Sequence, residues 1–491
     1  MFMNLIKKIF KPIDLTKGTP WKAIILFAIP IMISTILSNA FSLINSLILK
    51  TTVGGDSVTA MNSTGSISAI LFNFAYGCTT GFGIIAANKC GEKDNAGLKK
   101  AFYNSVFISL IIAFLITVIG LLSYKQLLSF LNIGQQYYEK AGDYYVIILW
   151  AFGLILLTNL MDHFINAMGN STVPLLISIV STLVNIVLGF LLTGVATLDT
   201  KGVAIATLVA NLVHFILALL YLMKKYTYLR PTKDAFRFNG KMCKDLLWLG
   251  LPLGFQWSIL FIGSFYQSSR VNLFGNGIAT KASSCYGSYE NYLTIPLSVM
   301  SSALLSYVGQ NFGAKNKERI KAGIKACLLI DVIFYAGILI VGLSTAKYVP
   351  YIFLPASEVN DPTNGPRIIF YCATYIRIIT PSLILQGFLQ LSRSVLQGIK
   401  KPLIPFFSGI GELIARIFVC FFFPTWFNPA DPLSDTSYIA ICFSTPVAWL
   451  VSVLIMGGSV IYLFVIKKMD FMDIKKGSSL EKEPTDVSLK K

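Results

Sequence analysis

The amino-acid sequence predicts an all-α polytopic membrane protein, with twelve transmembrane helices arranged as two six-helix bundles around a central cavity. Three observations lead to this prediction. Of the 491 residues, 55% are apolar and only 13% are charged, whereas soluble domains carry about 25% charged residues. Twelve apolar stretches are each long enough to cross a bilayer, and the sequence of the first half recurs in the second.

The twelve stretches account for most of the chain. A bilayer core is about 30 Å thick, and an α-helix needs roughly 20 apolar residues to cross it. The predicted spans are residues 22–49, 64–86, 101–122, 144–166, 174–194, 202–223, 246–270, 281–309, 326–346, 367–396, 402–424 and 438–466. Pro30 and Pro296 fall inside two of them, but neighbouring helices can satisfy the backbone groups that a proline frees within a membrane bundle.

The net charge of +18 indicates orientation rather than an anionic partner. Of the 41 Lys and Arg residues, 30 fall in the two terminal segments and in the loops that follow the even-numbered helices, all on one side of the membrane. Only 7 fall in the loops of the other side. By the positive-inside rule both termini are cytoplasmic, as expected for a multi-pass protein of the cell (inner) membrane. We therefore expect the lipid bilayer, and not nucleic acid, to be the partner of the basic residues.

An internal repeat divides the chain. Residues 21–30 align with residues 243–252 at an offset of 222, and the same offset aligns Gly91-Glu92-Lys93-Asp94 with Gly313-Ala314-Lys315-Asn316. We predict an N-lobe at residues 1–223 with helices one to six and a basic cytoplasmic linker at residues 224–245. A C-lobe at residues 246–466 holds helices seven to twelve, and residues 467–491 form a cytoplasmic tail. Because each lobe has an even number of helices, both lobes begin on the same side of the membrane, and the two repeats are therefore parallel.

This architecture predicts a transporter and not an enzyme. Two bundles related by an axis along the membrane normal enclose a cavity, and rocking of one bundle against the other exposes that cavity to each side in turn. The sequence has no P-loop, no Ser/His/Asp constellation and no cysteine or histidine pair at metal-ligand spacing. We expect no catalytic residue, no metal and no cofactor beyond a coupling ion.

Ionisable residues at membrane depth are the candidates for substrate or ion binding, because each costs several kcal/mol unless it is paired or faces a wet cavity. Glu412 and Arg416 lie four residues apart on one helix, which suits an intrahelical ion pair or a direct coupling role. Glu290 lies six residues before Pro296, in a polar stretch that interrupts the apolar pattern of the eighth helix. For Glu290, a structural role as a hydrogen-bonded side chain and a functional role are both open.

The fourth helix holds two further candidates. Asp162 and His163 lie near its predicted cytoplasmic end, where a carboxylate can reach solvent. An imidazole titrates near neutral pH, so His163, like His214 on the sixth helix, suits either a proton relay or a hydrogen-bonded helix interface. Asp331 also falls near a predicted cytoplasmic end, and we expect a structural role for it.

The sequence resembles the multidrug and toxic compound extrusion (MATE) family of cation-coupled antiporters, over residues 14–466. The resemblance lies in Asp14-Leu15-Thr16-Lys17-Gly18 with Pro30, Met168-Gly169-Asn170-Ser171 with Asn185, Val308-Gly309-Gln310-Asn311-Phe312-Gly313-Ala314, and Glu412 with Arg416. It implies export of small amphipathic, cationic compounds in exchange for inward H⁺ or Na⁺. We expect the protein to act as a monomer.

Two positions depart from the family. Many relatives carry an acid late in helix one, where this sequence has Asn45, and some carry an acid four residues after Asn185, where it has Gly189. The ion site that the resemblance implies in the N-lobe, around Asn45 and Asn185, therefore lacks both carboxylates. Glu290 and Glu412 in the C-lobe are the remaining deep acids, and we expect either Gln variant to abolish gradient-driven transport.

One alternative stays open within the same superfamily. Flippases of lipid-linked oligosaccharides or other lipid-linked precursors resemble this architecture but have a cationic cavity. Four arginines in the predicted C-lobe keep that alternative open: Arg270, Arg377, Arg393 and Arg416. A non-transporting receptor or an intramembrane enzyme is disfavoured, because duplicated halves have no evident purpose there.

Overall fold

The computed structural model describes residues 12–130, 133, 135–232 and 238–466. Twelve of its helices are long and apolar enough to cross a membrane, which confirms the predicted fold class and helix number. The predicted tail at residues 467–491 lies outside the described residues, as do residues 1–11 and residues 233–237 of the predicted linker.

The helices fall into two consecutive sets of six. The N-half comprises α1 Pro20–Thr52, α2 Gly65–Gly91, α3 Asn95–Phe130, α4 Gln135–Ala167, α5 Thr172–Phe190 and α6 Asp199–Lys225. The C-half comprises α7 Gly240–Val271, α8 Ile278–Gly313, α9 Lys317–Thr345, α10 Gly365–Gly398, α11 Leu403–Phe427 and α12, which runs as Asp435–Cys442 and Ser444–Ile461. Most of the helices extend several residues beyond the predicted apolar spans. The predicted linker at residues 224–245 thus contains the end of α6 and the start of α7, and the lobe boundaries stay a prediction.

The apolar surface of the bundle faces outward as well as inward. Large side chains on the outer helices are open, with exposed fractions of 76% for Leu122, 70% for Ile333 and 67% for Leu454. In water such a surface would favour aggregation, whereas lipid tails cover it without cost. The polar side chains described below are enclosed between the helices.

The turns that join α2 to α3 and α8 to α9 have the same structure. Lys93 and Lys315, which the offset of 222 equates, both have positive φ, at 56° and 57°. Asp94 and Asn316 each cap the following helix by accepting a hydrogen bond from the backbone N–H three residues further along. The backbone N–H of Gly97 and the Lys89 ammonium group hold the pKa of Asp94 below its usual value. The repeat read from the sequence is therefore a repeat of backbone conformation.

These two turns meet each other. A Cβ built on Gly91 would lie 1.9 Å from the carbonyl oxygen of Gln310, and one built on Gly313 would lie 2.0 Å from the carbonyl oxygen of Asn88. Residues 88 and 310 are also related by the offset, so the contact is reciprocal. Only glycine permits this approach, which joins the N-half to the C-half where the described chain begins. We call this the terminal side.

Residues 12–18, which precede α1, strengthen the closure of the terminal side. The backbone N–H of Ile13 donates to the carbonyl of Gly169 in the N-half at 2.8 Å. The guanidinium of Arg319 in the C-half donates to the carbonyls of Leu15, Lys17 and Gly18 at 2.7–3.1 Å. We call residues 12–18 the terminal strap, because they hold both halves together.

On the opposite side, the short helices stay with their own half. There the short helices Gly55–Ser63 and Val349–Phe353 and the first segment of α12 each pack against helices of their own half. Between the sides, α2 packs closely on α7, where a Cβ on Gly81 would lie 2.6 Å from the Cα of Gly250. The molecule is closed at its terminal side and held together at mid-depth.

The α2–α7 contact can be tested with Gly81→Ala. The added methyl group meets backbone atoms of Gly250, which cannot rotate away, so the helices must move apart. Overpacking of this kind costs about 1–3 kcal/mol, and we expect the thermal unfolding midpoint in detergent to fall by several degrees. Gly287→Ala in α8 is the matched control, because a Cβ there meets no atom within 4 Å. Equal midpoints for the two variants would show that the close approach is wrong.

Candidate functional site

A central cavity of about 570 Å³ lies between the halves. Helices α1, α2, α4 and the start of α5 in the N-half and helices α7, α8 and α10 in the C-half form its wall. Among the described residues that line it, Asp162 is the one acidic side chain and Arg393 the one side chain of Lys or Arg type. The volume lies in the range of small-molecule sites, about 300–1,000 Å³.

The acidic group belongs to the N-half wall. Asp162 on α4 accepts a hydrogen bond from the Nε2 atom of His214 on α6 at 3.0 Å, and the Nδ1 atom of His214 lies 3.3 Å from the hydroxyl of Ser181. The Asp162 side chain is 25% exposed. The structure thus places Asp162 in the cavity wall with a histidine partner, and not at a solvated helix end.

Aromatic rings connect the two walls. Tyr76 of α2 meets Trp257 of α7 edge to face, with ring centroids 5.5 Å apart. On its other side Tyr76 lies 5.2 Å from the ring of His163, whose Nε2 atom is 3.2 Å from the hydroxyl of Thr80. His163 is therefore a hydrogen-bonded helix-interface residue that also lines the cavity. These rings give the cavity a surface for flat apolar groups.

The basic group belongs to the C-half wall. Arg393 on α10 is 4% exposed, and its guanidinium lies over the ring of Trp257 at 5.5 Å. Its Nη1 atom donates to the side-chain oxygen of Gln390 at 3.3 Å, and its Nη2 atom is 3.8 Å from a carboxylate oxygen of Glu412.

Glu412 lies behind Arg393, and its partners are within the C-half. Arg416, one turn further along α11, donates to it at 3.4 Å, so the predicted spacing does form an intrahelical ion pair. The hydroxyl of Ser452 donates to the second carboxylate oxygen at 3.2 Å. Arg416 also donates to Gln267 at 2.7 Å and to Thr445 at 3.2 Å.

Glu290 on α8 lies outside the cavity wall. The hydroxyl of Tyr375 donates to its carboxylate at 2.9 Å, and Tyr375 stacks on Tyr286 with ring centroids 3.7 Å apart. We call Glu290, Tyr375, Arg416, Glu412 and Arg393 the C-half network, because they are ionisable groups of α8, α10 and α11 in which Glu290 binds Tyr375 and Glu412 pairs with both arginines.

Asn45 and Asn185 come together without any carboxylate. Their side-chain amides lie 3.5 and 3.4 Å from the hydroxyl of Thr207, and both amide oxygens are buried without a hydrogen-bond partner among the described residues. A Cβ on Gly189 would lie 2.9 Å from the Ile48 side chain. This N-half cluster is electrically neutral.

Asp331 lies elsewhere. It is near the middle of α9, not near an end as the sequence indicated, and it is 5% exposed. It lines a small pocket of the C-half with Leu297 and Gly387, separate from the central cavity.

Sequence reasoning missed several partners of the site. It considered His214 as a proton relay or a helix-interface residue but did not pair it with Asp162, it treated Arg393 as one of four equivalent arginines, and it did not consider Tyr375. These groups meet their partners across helices separated by tens of residues, such as the 52 between Asp162 and His214. No spacing rule within one helix reports such contacts.

Comparisons with known proteins fit this geometry. A family model described as MatE matches residues 30–191 and 260–422, one segment in each half. The chain belongs to the MatE family. Together with relatives that are export proteins, this makes it a multi-pass membrane transporter and not an enzyme.

Relatives and one solved structure extend the comparison. The probable multidrug resistance protein YoeA of Bacillus subtilis is 26% identical over 66% of this MatE chain and 72% of its own length. The multidrug export protein MepA of Staphylococcus haemolyticus is 22% identical over 77% of this chain and 81% of its own. A MOP superfamily transporter from Pyrococcus furiosus has the same fold, with a TM-score of 0.81 and 21% identity over 95% of this chain and 99% of the other.

The role of Asp162 in the MatE cavity can be tested by binding. Asp162→Asn removes the one acidic group of the described wall, so we expect the Kd of tetraphenylphosphonium, an aromatic cation, to rise about tenfold, equivalent to about 1.4 kcal/mol. Titration calorimetry on purified protein measures this. Asp331→Asn removes a carboxylate outside the cavity and should leave the Kd within about twofold. A Kd unchanged by Asp162→Asn would exclude the acid from cation binding.

Proposed function

We propose that this protein is a secondary antiporter that exports amphipathic, cationic organic compounds in exchange for inward H⁺ or Na⁺ by alternating access. The observation that carries the proposal is the central cavity, which both halves build and which is closed on the terminal side by the reciprocal glycine contact and the strap. Rocking the halves would open that side and close the other. Relatives named as multidrug export proteins support this cargo class.

The cavity wall has the chemistry for such a cargo. The Asp162 carboxylate would attract a cationic group, and the rings of Tyr76 and Trp257 would stack on a flat apolar body. Export of one positive charge against 100 mV costs about 2.3 kcal/mol, so the cycle must be coupled to an ion gradient. No cofactor besides that ion has a part in the proposed cycle.

We place ion coupling in the C-half network. The neutral Asn45 and Asn185 cluster has no group that titrates near neutral pH, whereas Glu290 has a carboxylate whose hydrogen-bond partner is the uncharged hydroxyl of Tyr375. Glu412, in contrast, is shared by Arg393 and Arg416 and serves as a structural counter-charge. Glu290 is therefore our first candidate for the coupling residue.

The proposal includes the setting of the protein. The basic loops favour the cell membrane with the terminal side cytoplasmic, so the structure would represent the state with its cavity turned outward. One chain supplies both walls of the cavity, which supports action as a monomer.

Transport in proteoliposomes tests the function. Vesicles loaded with a cationic dye receive an imposed pH or Na⁺ gradient, and dye movement is followed by fluorescence. We expect movement that depends on one of the two gradients and stops when that gradient is dissipated. Absence of gradient-dependent movement under both, with several dyes, would reject the antiporter.

Glu290→Gln tests the coupling site in the same vesicles. The variant keeps an acceptor for Tyr375 but cannot carry a charge, so we expect gradient-driven dye movement to fall at least tenfold while the thermal midpoint stays near that of the parent. Glu358→Gln, which alters an exposed ion pair with Lys281, is the control. Parental rates for Glu290→Gln would move the coupling site elsewhere. Glu412→Gln should also lose transport, but with a lowered midpoint, because it leaves buried arginines unpaired.

The lipid-linked precursor flippase is the second candidate, and Arg393 in the cavity wall is the observation that favours it. Translocation of a labelled lipid headgroup that continues without any ion gradient, together with no dye movement, would support it over the antiporter.

A further inference from the structure

Arg393 presents hydrogen-bond donors that the protein does not use. A guanidinium carries five N–H donors and is always charged. The structure shows one hydrogen bond from it, to Gln390 at 3.3 Å, and its Nε and Nη2 atoms are buried without a hydrogen-bond partner among the described residues. Buried donors that are left unpaired destabilise a protein, and a charged donor does so more than a neutral one. These donors are therefore available to an acceptor group of a ligand.

The neighbouring acid does not fill that role. Glu412 approaches the Nη2 atom of Arg393 only to 3.8 Å, beyond hydrogen-bond distance. Its two carboxylate oxygens already accept from Arg416 and Ser452. Two arginines thus share one close carboxylate, and Arg393 has the weaker share.

The surroundings of Arg393 favour an anion attached to an aromatic body. The indole of Trp257 lies against the guanidinium, and its Nε1 atom, which can only donate, is also buried without a partner among the described residues. Tyr76 meets the Trp257 ring on one side and the ring of His163, which follows Asp162 in the N-half wall, on the other. The cavity therefore has a cationic end, an aromatic middle and an anionic end.

We propose that Arg393, with the Trp257 N–H group, is a binding site for an anionic oxygen group of the cargo, a carboxylate or a phosphate. The preferred cargo is then a zwitterionic amphiphile, with its cationic group toward Asp162 and its anionic group on Arg393. The inference rests on the proposed function, since it names the cargo class of the same cavity.

A pair of dyes separates the anionic group from the rest of the cargo. A zwitterionic carboxy-rhodamine and its methyl ester share the same aromatic cation and differ only in the carboxylate. Fluorescence anisotropy with purified protein in a neutral detergent measures both Kd values. We expect the parent protein to bind the acid at least tenfold more tightly than the ester. Equal affinities, or a preference for the ester, would overturn the proposal without any variant.

Variants on α10 locate the site. Arg393→Gln should abolish the preference for the acid and change the Kd of the ester by less than about twofold. Arg377→Gln is the matched control, because Arg377 is an exposed arginine of the same helix, and it should keep the preference. If Arg393→Gln does not fold, Arg393→Lys decides: it retains the charge but loses the planar fork, so the preference should fall severalfold. A full preference in either Arg393 variant would overturn the assignment.

Further arms identify the source of the anion and separate this inference from the antiporter. Competition of a short-chain phosphatidylglycerol with the bound acid, lost in Arg393→Gln, would assign the site to lipid phosphate as well, whereas no competition would assign it to the carboxylate cargo alone. Gradient-driven movement of the ester with no preference for the acid would leave the antiporter standing and reject the anion site. A preference for the acid without gradient-driven movement of either dye would support the anion site and reject the antiporter.

Discussion

The reciprocal contact between the α2–α3 and α8–α9 turns is the constraint on which the rest of the structure depends. Gly91 lies against the carbonyl of Gln310 and Gly313 against that of Asn88, so the halves meet backbone to backbone at the terminal side. With this side closed, the cavity can open only where the short helices stay with their own half. The strap adds hydrogen bonds from Arg319 to carbonyls near the surface, and water can replace such bonds at little net cost. The closure is therefore specific in geometry but not strong, as a transport cycle requires.

The two halves have the same fold but different charges. In the N-half the deep polar groups are amides, hydroxyls and the Asp162–His214 pair. In the C-half they include Glu412 between Arg393 and Arg416, Glu290 bound to Tyr375, and the separate carboxylate of Asp331. Charges at membrane depth are retained only where partners or water compensate them. A duplicated fold thus provides a symmetric frame for closure, while the differences between the copies provide the chemistry of the cavity.

The sequence predicted the fold well and the site only in part, for physical reasons. Long apolar stretches define membrane helices because the bilayer leaves few alternatives, and the Gly91 and Gly313 turns were visible because a backbone approach demands glycine at both copies. Glu412 and Arg416 were found because one helical turn joins them. The Asp162–His214 pair was missed, and Asp162 was expected at a solvated end, because the rotation of a helix about its axis depends on its neighbours. Arg393 could not be distinguished from Arg377 for the same reason: both lie on α10, and only packing decides which one faces the cavity.

The choice of Glu290 for coupling follows from what the other deep acids already bind. Asp162 is hydrogen-bonded to His214, and Glu412 lies between two guanidinium groups. Asp331 has no hydrogen-bond partner among the described residues, but it lies in a small pocket away from the central cavity. Glu290 combines an uncharged partner, Tyr375, with a place on α8, a helix whose residues Ser298 and Ser302 line the cavity. In the proposed cycle, a change of charge at Glu290 would alter the electrostatic potential in the cavity where the cargo binds, which is the physical requirement for exchanging an ion for a solute without a catalytic group.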